Sequence, residues 1–186
     1  MNIGFAVCGS FCTYERVFDA MAATASIHTV IPILSAASQA TDSRFGTAQG
    51  FYSRITTICG REPLCTIAQV EPIGPKKMLD LLVIAPCTGN TLAKLAHGIA
   101  DGPVTMAAKS HLRNGRPVLI AVSTNDALAG AAENIGKLLA RKHYYFVPFG
   151  QDDPQNKPTS MVADFTKLLP ALDAALEGRQ LQPILL

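Results

Sequence analysis

Short apolar runs alternate with longer segments of mixed polarity along the whole chain. The runs occupy residues 3–7, 28–34, 81–86, 116–123 and 144–148. Two of them contain "LLVIA" and "VLIAV", in which no polar residue interrupts the apolar side chains. Strands that are covered on both faces lose the alternation of apolar and polar residues that one-sided sheets show. The pattern therefore predicts buried strands of a parallel sheet.

The segments between the runs are compatible with helices. After the first run, apolar residues recur at helical spacing, at Phe11, Tyr14, Val17, Phe18 and Met21. Residues 35–60 predict a helix with irregular flanks, and residues 127–141 predict another. A polar, proline-bearing loop is expected over 150–160. A C-terminal helix is expected over 160–178, where Pro170 introduces a kink or starts a new turn.

This alternation of strands and helices predicts an α/β fold. The expected architecture is a Rossmann-like open parallel sheet with helices on both faces, in three α/β/α layers. No internal repeat, low-complexity tract or linker divides the chain. Residues 1–186 are therefore interpreted as a single domain.

Composition and charge exclude several classes of function. The 186 residues are 48% hydrophobic, enough for a sizeable core, and the net charge is only +2 with scattered Lys and Arg. No nucleic-acid partner is therefore expected. No run approaches the roughly 20 residues of a membrane span, so no membrane contact and a cytoplasmic location are expected. The five cysteines form no Cys-x-x-Cys pair, which favours free thiols.

The predicted strands end in loops of small hydroxyl and amide residues. The loops contain Gly9, Ser10 and Phe11, then Ser35 and Ala36, then Thr88, Gly89, Asn90 and Thr91, and finally Ser123. Such side chains can cap a following helix, which explains any one loop. In an open parallel sheet the same loops surround a ligand crevice, and helix N-termini favour anions. Taken together, the loops favour a phosphate-bearing cofactor.

Other chemistries find little support. The Gly-x-Gly-x-x-Gly dinucleotide fingerprint is absent, and "GAAENIGK" at 130–137 has the wrong spacing for a Walker loop and is interpreted as helix. The four histidines have no metal-ligand spacing, so no metal site is expected. Lysines and arginines that could contact an acidic ligand or partner are Lys76, Lys77, Lys94, Lys109, Arg113 and Arg116.

The stretch "PCTGNTLAKLAHGIADGP" at 86–103 resembles a motif of the flavoprotein family. That family includes phosphopantothenoylcysteine decarboxylases, peptidyl-cysteine decarboxylases and flavin prenyltransferases. The resemblance implies a homo-oligomeric flavin-binding fold in which the strand-end residues named above hold FMN. It also implies that Asn90 lies near the reacting atoms as a candidate catalytic residue.

The chain departs from the decarboxylase pattern at two places. In those enzymes a histidine precedes the central strand and a cysteine-containing flap closes the site. Here the two places read "VEPIGPKK" and "FGQDDPQNKP", with neither residue. The departures argue against decarboxylation by the family mechanism, because isoleucine or glycine cannot accept a proton.

The stretches "EPIGPKKMLDLLVIAPCTGNT", "MAAKSHLRNGRPVLIAVSTNDAL" and "YYFVPFGQDDPQNKP" resemble the family of dipicolinate synthase B subunits of spore-forming bacteria. That resemblance implies an A subunit that binds NADP, a small dicarboxylate substrate, and oxidation of a dihydrodipicolinate-type intermediate in the mother-cell cytoplasm. Two alternatives stay open. One is a self-sufficient FMN-dependent decarboxylase or prenyltransferase-like protein, and the other is a non-catalytic scaffold subunit.

Overall fold

The computed structural model describes all residues, 1–186, and places every predicted strand in one sheet. The strands are β1 (Asn2–Val7), β2 (Thr29–Leu34), β3 (Leu81–Cys87), β4 (Val118–Thr124), β5 (Tyr144–Phe146), β6 (Phe149–Gln151) and β7 (Met161–Ala163). The helices are α1 (Tyr14–Ala25), α2 (Ala36–Ala40), α3 (Ala48–Cys59), α4 (Ile67–Val70), α5 (Gly89–His97), α6 (Pro103–Leu112), α7 (Ala132–Leu139) and α8 (Leu168–Leu176).

Five strands pair in parallel and form the centre of the sheet. Their order is β2-β1-β3-β4, with β5 on the far side of β4. Every residue of β3 is buried, which explains why its sequence shows no alternation. The chain leaves β1 towards β2 on one side and later returns to β3 on the other. The neighbours β1 and β3 therefore form the switch point at which open α/β sheets bind ligands.

Helices cover both faces of this sheet, as the sequence predicts. In the contacts between helices, α1 packs against α3 and α8, whereas α5 packs against α6 and α7. The buried side chains of sheet and helices form one continuous hydrophobic core. The Rossmann-like α/β fold class is thus confirmed. No helix is long and apolar enough to cross a membrane.

The sheet contains two antiparallel strands that the sequence pattern does not predict. β7 pairs with the end of β4, where Ser123 lies opposite Val162, and β6 pairs with β7. The prediction of a loop over 150–160 is therefore wrong at its start, because Gly150 and Gln151 belong to β6. Three-residue strands are too short to show a recognisable period.

The predicted C-terminal helix over 160–178 is also shorter than expected. Residues 161–163 form β7, and the Asp164 carboxylate then accepts a hydrogen bond from the Thr166 amide, 3.1 Å away, to start a 3₁₀ turn. α8 begins only at Leu168, which places Pro170 in its first turn, where no intrahelical N–H is required. Pro170 therefore lies in the first turn of this helix and does not kink it.

The single helix predicted within 35–60 is divided into α2 and α3. Between them, the Ser43 and Gly46 backbones pair in a tight turn with distances of 2.9 and 3.1 Å. Thr47 then caps α3, its hydroxyl accepting from the Gly50 amide at 3.0 Å. This division places residues 43–45 at the same sheet edge as the strand-end loops.

Each outer edge of the sheet is covered by a short segment. Beside β2, the Leu64 amide donates to the Pro32 carbonyl at 2.9 Å, and Pro32 itself has no amide to offer. Beside β5, the Gln180 side chain bonds both the amide and the carbonyl of Phe146, at 2.8 and 2.7 Å. Beside β6, residues 184–186 pair with Phe149. No edge strand therefore presents a free row of backbone groups.

His111 is a buried titratable group in α6. Its Nε2 lies 3.0 Å from the Pro117 carbonyl oxygen, and its Nδ1 has no hydrogen-bond partner. Burial lowers the pKa of His111 to about 4, although the hydrogen bond to Pro117 opposes the shift. The folded protein therefore holds a neutral imidazole at neutral pH.

This burial predicts a loss of stability below neutral pH. Between pH 6.5 and 4 the unfolded chain binds a proton that folded His111 does not, so the free energy of unfolding falls as the pH falls. At pH 5 the loss is about 2 kcal/mol relative to pH 7. Urea unfolding at both pH values should show this difference in the wild type. It should shrink in His111→Gln, which keeps a donor for Pro117, and an equal loss in both proteins would contradict the prediction.

Candidate flavin site

The loops after β1, β2, β3 and β4 meet at one edge of the sheet. Parallel strands present their carboxyl ends on the same side, so residues that follow them along the chain come together in space. Two cavities open at this edge, and both are lined by Gly9 and Thr88. These two residues follow β1 and β3, so the two cavities lie side by side at the switch point of the sheet.

The first cavity has a volume of about 360 Å³. Its lining includes the predicted site residues Gly9, Ser35, Ala36, Thr88, Asn90 and Thr91. Residues 101–105, which begin α6, form the opposite wall. This cavity brings together the loops after β1, β2 and β3.

The second cavity is larger, about 670 Å³. Its lining includes the predicted residues Gly9, Ser10, Phe11, Thr88 and Ser123. The structure thus places nine of the ten predicted binding residues in one of the two linings, Gly89 being the exception.

Side-chain hydrogen bonds hold the loops in register. The Ser10 and Ser123 hydroxyls lie 2.8 Å apart, which ties the loop after β1 to that after β4. The Thr91 hydroxyl donates to the Cys8 sulfur at 3.4 Å, which ties the start of α5 to β1. Gly9 permits a close approach to the loop after β2, because a Cβ there would lie 3.2 Å from that of Ala37.

Two of the loop hydroxyls do serve as helix caps. Ser35 accepts from the Ser38 amide at 3.2 Å, and Thr88 accepts from the Thr91 amide at 3.4 Å. The capping interpretation is therefore correct for α2 and α5. It does not account for Asn90, whose exposed side chain makes no hydrogen bond within the chain, or for the remaining first-turn amides of α5.

Packing within the chain also constrains Gly89. It lines neither cavity. A Cβ at this position would lie 2.7 Å from Oδ1 of Asp126 and 2.9 Å from the hydroxyl of Thr124, which itself donates to that carboxylate. A side chain at this position would therefore have to displace the Asp126 carboxylate or the Thr124 hydroxyl, which favours glycine here.

Charged groups stand at the rims of both cavities. Lys94 donates to both carboxylate oxygens of Asp101, each 2.9 Å away, and this hydrogen bond lowers the pKa of Asp101. The predicted ligand contact of Lys94 thus competes with an ion pair. At the second cavity, the pKa of Asp152 is lowered overall. Burial alone would raise this pKa, but hydrogen bonds from Ser160 and Lys157 outweigh the effect of burial and favour the carboxylate.

The two cysteines at the site are unsuited to nucleophilic chemistry. Cys8 and Cys87 are fully buried at the ends of β1 and β3. Burial raises the pKa of Cys8 to about 11 and that of Cys87 well above its ordinary value. Both remain neutral thiols at physiological pH, and thiolates are the reactive form.

Sequence reasoning missed one wall of the second cavity. That wall contains Ser43, Arg44 and Phe45. Phe45 is half exposed, and the Arg44 guanidinium lies 4.9 Å from the centre of its ring. An arginine beside an aromatic residue, in the segment between α2 and α3, was the available signal. Lys157, from the polar loop after β6, adds a second cation.

Neither cavity contains a histidine in its lining. The chain also contains no cluster of three or more His, Cys, Asp or Glu residues that could hold a metal ion. The arrangement offers hydroxyls, amides and helix N-termini, with cations at the rim. These groups can bind and orient an anionic, partly planar ligand, and the carboxylates of Asp101 and Asp152 are the only acidic side chains in the two linings.

The comparison with known proteins agrees with this geometry. The flavoprotein family model matches residues 2–161. The chain belongs to the flavoprotein family. The family resemblance expected from residues 86–103 is thereby confirmed.

Within this family, two relatives match this chain over almost its whole length. The flavoprotein is 44% identical over 185 residues to the B subunit of dipicolinate synthase from Bacillus subtilis (strain 168), covering 99% of this chain and 92% of that protein. The crystal structure of the dipicolinate synthase B subunit from Bacillus halodurans is 43% identical and superposes with a TM-score of 0.91, covering 100% and 95% of the two chains. The predicted resemblance to these B subunits is confirmed.

A more distant solved structure shares only the fold. It is Burkholderia xenovorans DmrB in complex with FMN, 20% identical, with a TM-score of 0.69 and 95% of each chain covered. At that identity the likeness supports the architecture alone. The site of this flavoprotein must therefore be argued from its own residues.

The Gly89 contact predicts a specific steric effect. Gly89→Ala should lower the free energy of unfolding by about 1–3 kcal/mol, because the added methyl overlaps the Asp126 carboxylate. The matched control is Gly136→Ala, since a Cβ at Gly136 in α7 meets nothing within 4 Å. That control should be neutral or gain up to about 1 kcal/mol from helix propensity. Equal effects of the two substitutions in urea unfolding would refute this assignment.

Proposed function

We propose that this flavoprotein is the B subunit of a dipicolinate synthase and works together with an A subunit that binds NADP. The likeness to a dipicolinate synthase B subunit over 99% of the chain carries this proposal. The proposed reaction removes one hydride and one proton from a dihydrodipicolinate-type intermediate. The hydride passes to NADP⁺, held by the A subunit, while the proton passes to solvent, leaving aromatic pyridine-2,6-dicarboxylate. The setting would be the mother-cell cytoplasm of a spore-forming bacterium.

The division of labour fits the composition of this site. The chain has no dinucleotide fingerprint after β1, where one glycine is followed by Ser10 and Phe11. No histidine lines either cavity, so the proton acceptor of the related decarboxylases has no counterpart there. These features disfavour a self-sufficient decarboxylase and favour a subunit that needs a partner. Assembly as a homo-oligomer belongs to the same proposal.

FMN is the ligand proposed for the first and second cavities, which share Gly9 and Thr88. Small residues leave the cavities open at the switch point, and the first-turn amides of α5 that Thr88 does not satisfy provide donors for an anion. The residues that would hold it are Gly9, Ser10, Phe11, Ser35, Ala36, Thr88, Asn90, Thr91 and Ser123. Bound flavin supplies a two-electron acceptor. Asn90 would orient the reacting part of the ligand through its free amide.

A reconstitution experiment tests the division of labour. The purified flavoprotein should form no pyridine-2,6-dicarboxylate alone, and should restore its NADP-dependent formation when combined with the A subunit of the synthase and a dihydrodipicolinate-generating substrate. Product absorbance and NADPH formation measure the reaction, with and without added FMN. Full activity of the A subunit without this chain would show that the flavoprotein is not required. Turnover of a cysteine-derived carboxylate by this chain alone would support the decarboxylase alternative instead.

Asn90 provides a test of flavin binding that does not depend on turnover. Asn90→Ala should raise the dissociation constant for FMN about tenfold, the expected cost of one lost ligand hydrogen bond. Its melting temperature should not change, because Asn90 is exposed and makes no hydrogen bond within the chain. Gln155→Ala, which removes an exposed amide that lines neither cavity, is the control. Unchanged FMN affinity in Asn90→Ala would remove Asn90 from the site.

A further inference from the structure

A third cavity, of about 600 Å³, lies on the α5 and α6 side of the molecule. Its walls come from residues 94–100 of α5 and the loop that follows it, from residues 105–113 of α6 and its end, and from residues 141–144 before and within β5. We refer to it as the cationic cavity. It shares only Lys94 and Thr105 with the candidate flavin site.

Positive charge is concentrated around this cavity. Five of its 13 lining residues are lysine or arginine, and none is acidic. The chain as a whole has 16 Lys and Arg against 14 Asp and Glu. Nearly a third of the cations therefore surround one cavity that no carboxylate lines, whereas the overall charge is almost balanced. They come from three separate segments, so the sequence shows no basic run.

Two of these cations are already engaged within the chain. The Arg141 guanidinium donates to the carbonyl oxygens of Leu95 and Ala96, at 3.0 and 2.6 Å, near the C-terminus of α5. Lys94 pairs with Asp101. Both contacts stabilise the walls of the cavity and leave these side chains less available to a ligand.

The other three cations have no such partners. Lys109, Arg113 and Lys142 form no side-chain hydrogen bond or ion pair within the chain, and all three are exposed. Lys109 and Arg113 lie four residues apart at the end of α6, so they project from the same side of that helix. Lys142 approaches from the segment before β5. Together they can donate to more than one anionic group at once.

Apolar surface completes the cavity. Leu95 and Leu112 line it from the helices, Tyr144 lines it from β5, and Ile99 remains 48% exposed in the loop after α5. Ligand sites of this size are typically apolar walls with a few polar groups that fix orientation. An inorganic ion would leave these walls in contact with water, whereas an organic ligand would cover them.

We propose that the cationic cavity binds a small organic anion that carries two negative charges on an apolar body. Carboxylates and phosphates share the chemistry that Lys109, Arg113 and Lys142 would recognise. The apolar body would pack against Leu112 and Tyr144. This proposal does not rest on flavin binding, because the residues that carry it do not line the candidate flavin site.

Calorimetric titrations of the full chain with three probes test the proposal. The probes are pyridine-2,6-dicarboxylate, phenyl phosphate and benzoate. At least one of the dianions should bind about tenfold more tightly than benzoate, and its affinity should fall as ionic strength rises. The variant Lys109→Gln/Arg113→Gln should weaken that binding about tenfold or more while FMN affinity is unchanged. Circular dichroism melting confirms that the variant is folded.

A control variant separates a local site from general attraction. Arg61→Gln/Lys76→Gln removes two exposed cations that do not line the cavity and lowers the net charge equally. It should leave dianion binding unchanged. Tighter binding of the dicarboxylate identifies a carboxylate ligand, and tighter binding of phenyl phosphate identifies a phosphate ester. The proposal is wrong if neither dianion binds better than benzoate, if the two double variants weaken binding equally, or if Asn90→Ala weakens it as much.

Discussion

Burial of the two central strands on both faces is the constraint on which the rest of the structure depends. Because helical crossovers connect β3 and β4, the two strands run parallel, are covered by helices on both faces and present their carboxyl ends at one edge. The strand order then makes β1 and β3 neighbours, although about 75 residues of chain separate them. Loops that are distant in sequence therefore surround one crevice, and their small side chains keep it open.

The polar residues that line this crevice also form hydrogen bonds within the chain, so fewer of their hydrogen-bonding groups are available to a ligand. Ser35 and Thr88 use part of their capacity for helix caps, and Ser10 and Ser123 bond to each other. The groups that remain free include the side-chain amides of Asn90 and Asn125 and the unsatisfied backbone amides that begin α5. The arrangement is therefore suited to holding an anion in place.

Sequence alone predicted the parts of the structure that repeat a strong pattern. The unbroken apolar runs located the buried strands, and small residues after them located the crevice. The short strands β6 and β7 escaped because three residues show no period, and their pairing is decided by tertiary contacts. The packing constraint on Gly89 was not foreseen, because the Asp126 carboxylate that a side chain would meet lies 37 positions away. The sequence also named Lys94, Lys109 and Arg113 as candidate contacts for an acidic ligand, but it could not show that they line one cavity with cations from a third, distant segment.

The covered sheet edges also bear on how copies of this chain meet. Leu64, the Gln180 side chain and residues 184–186 each occupy backbone groups that a bare edge strand would offer to another molecule. Exposed strand edges are templates for intermolecular β-pairing and hence for aggregation. The three covering segments therefore reduce the number of backbone groups through which two copies of this chain could extend each other's sheet.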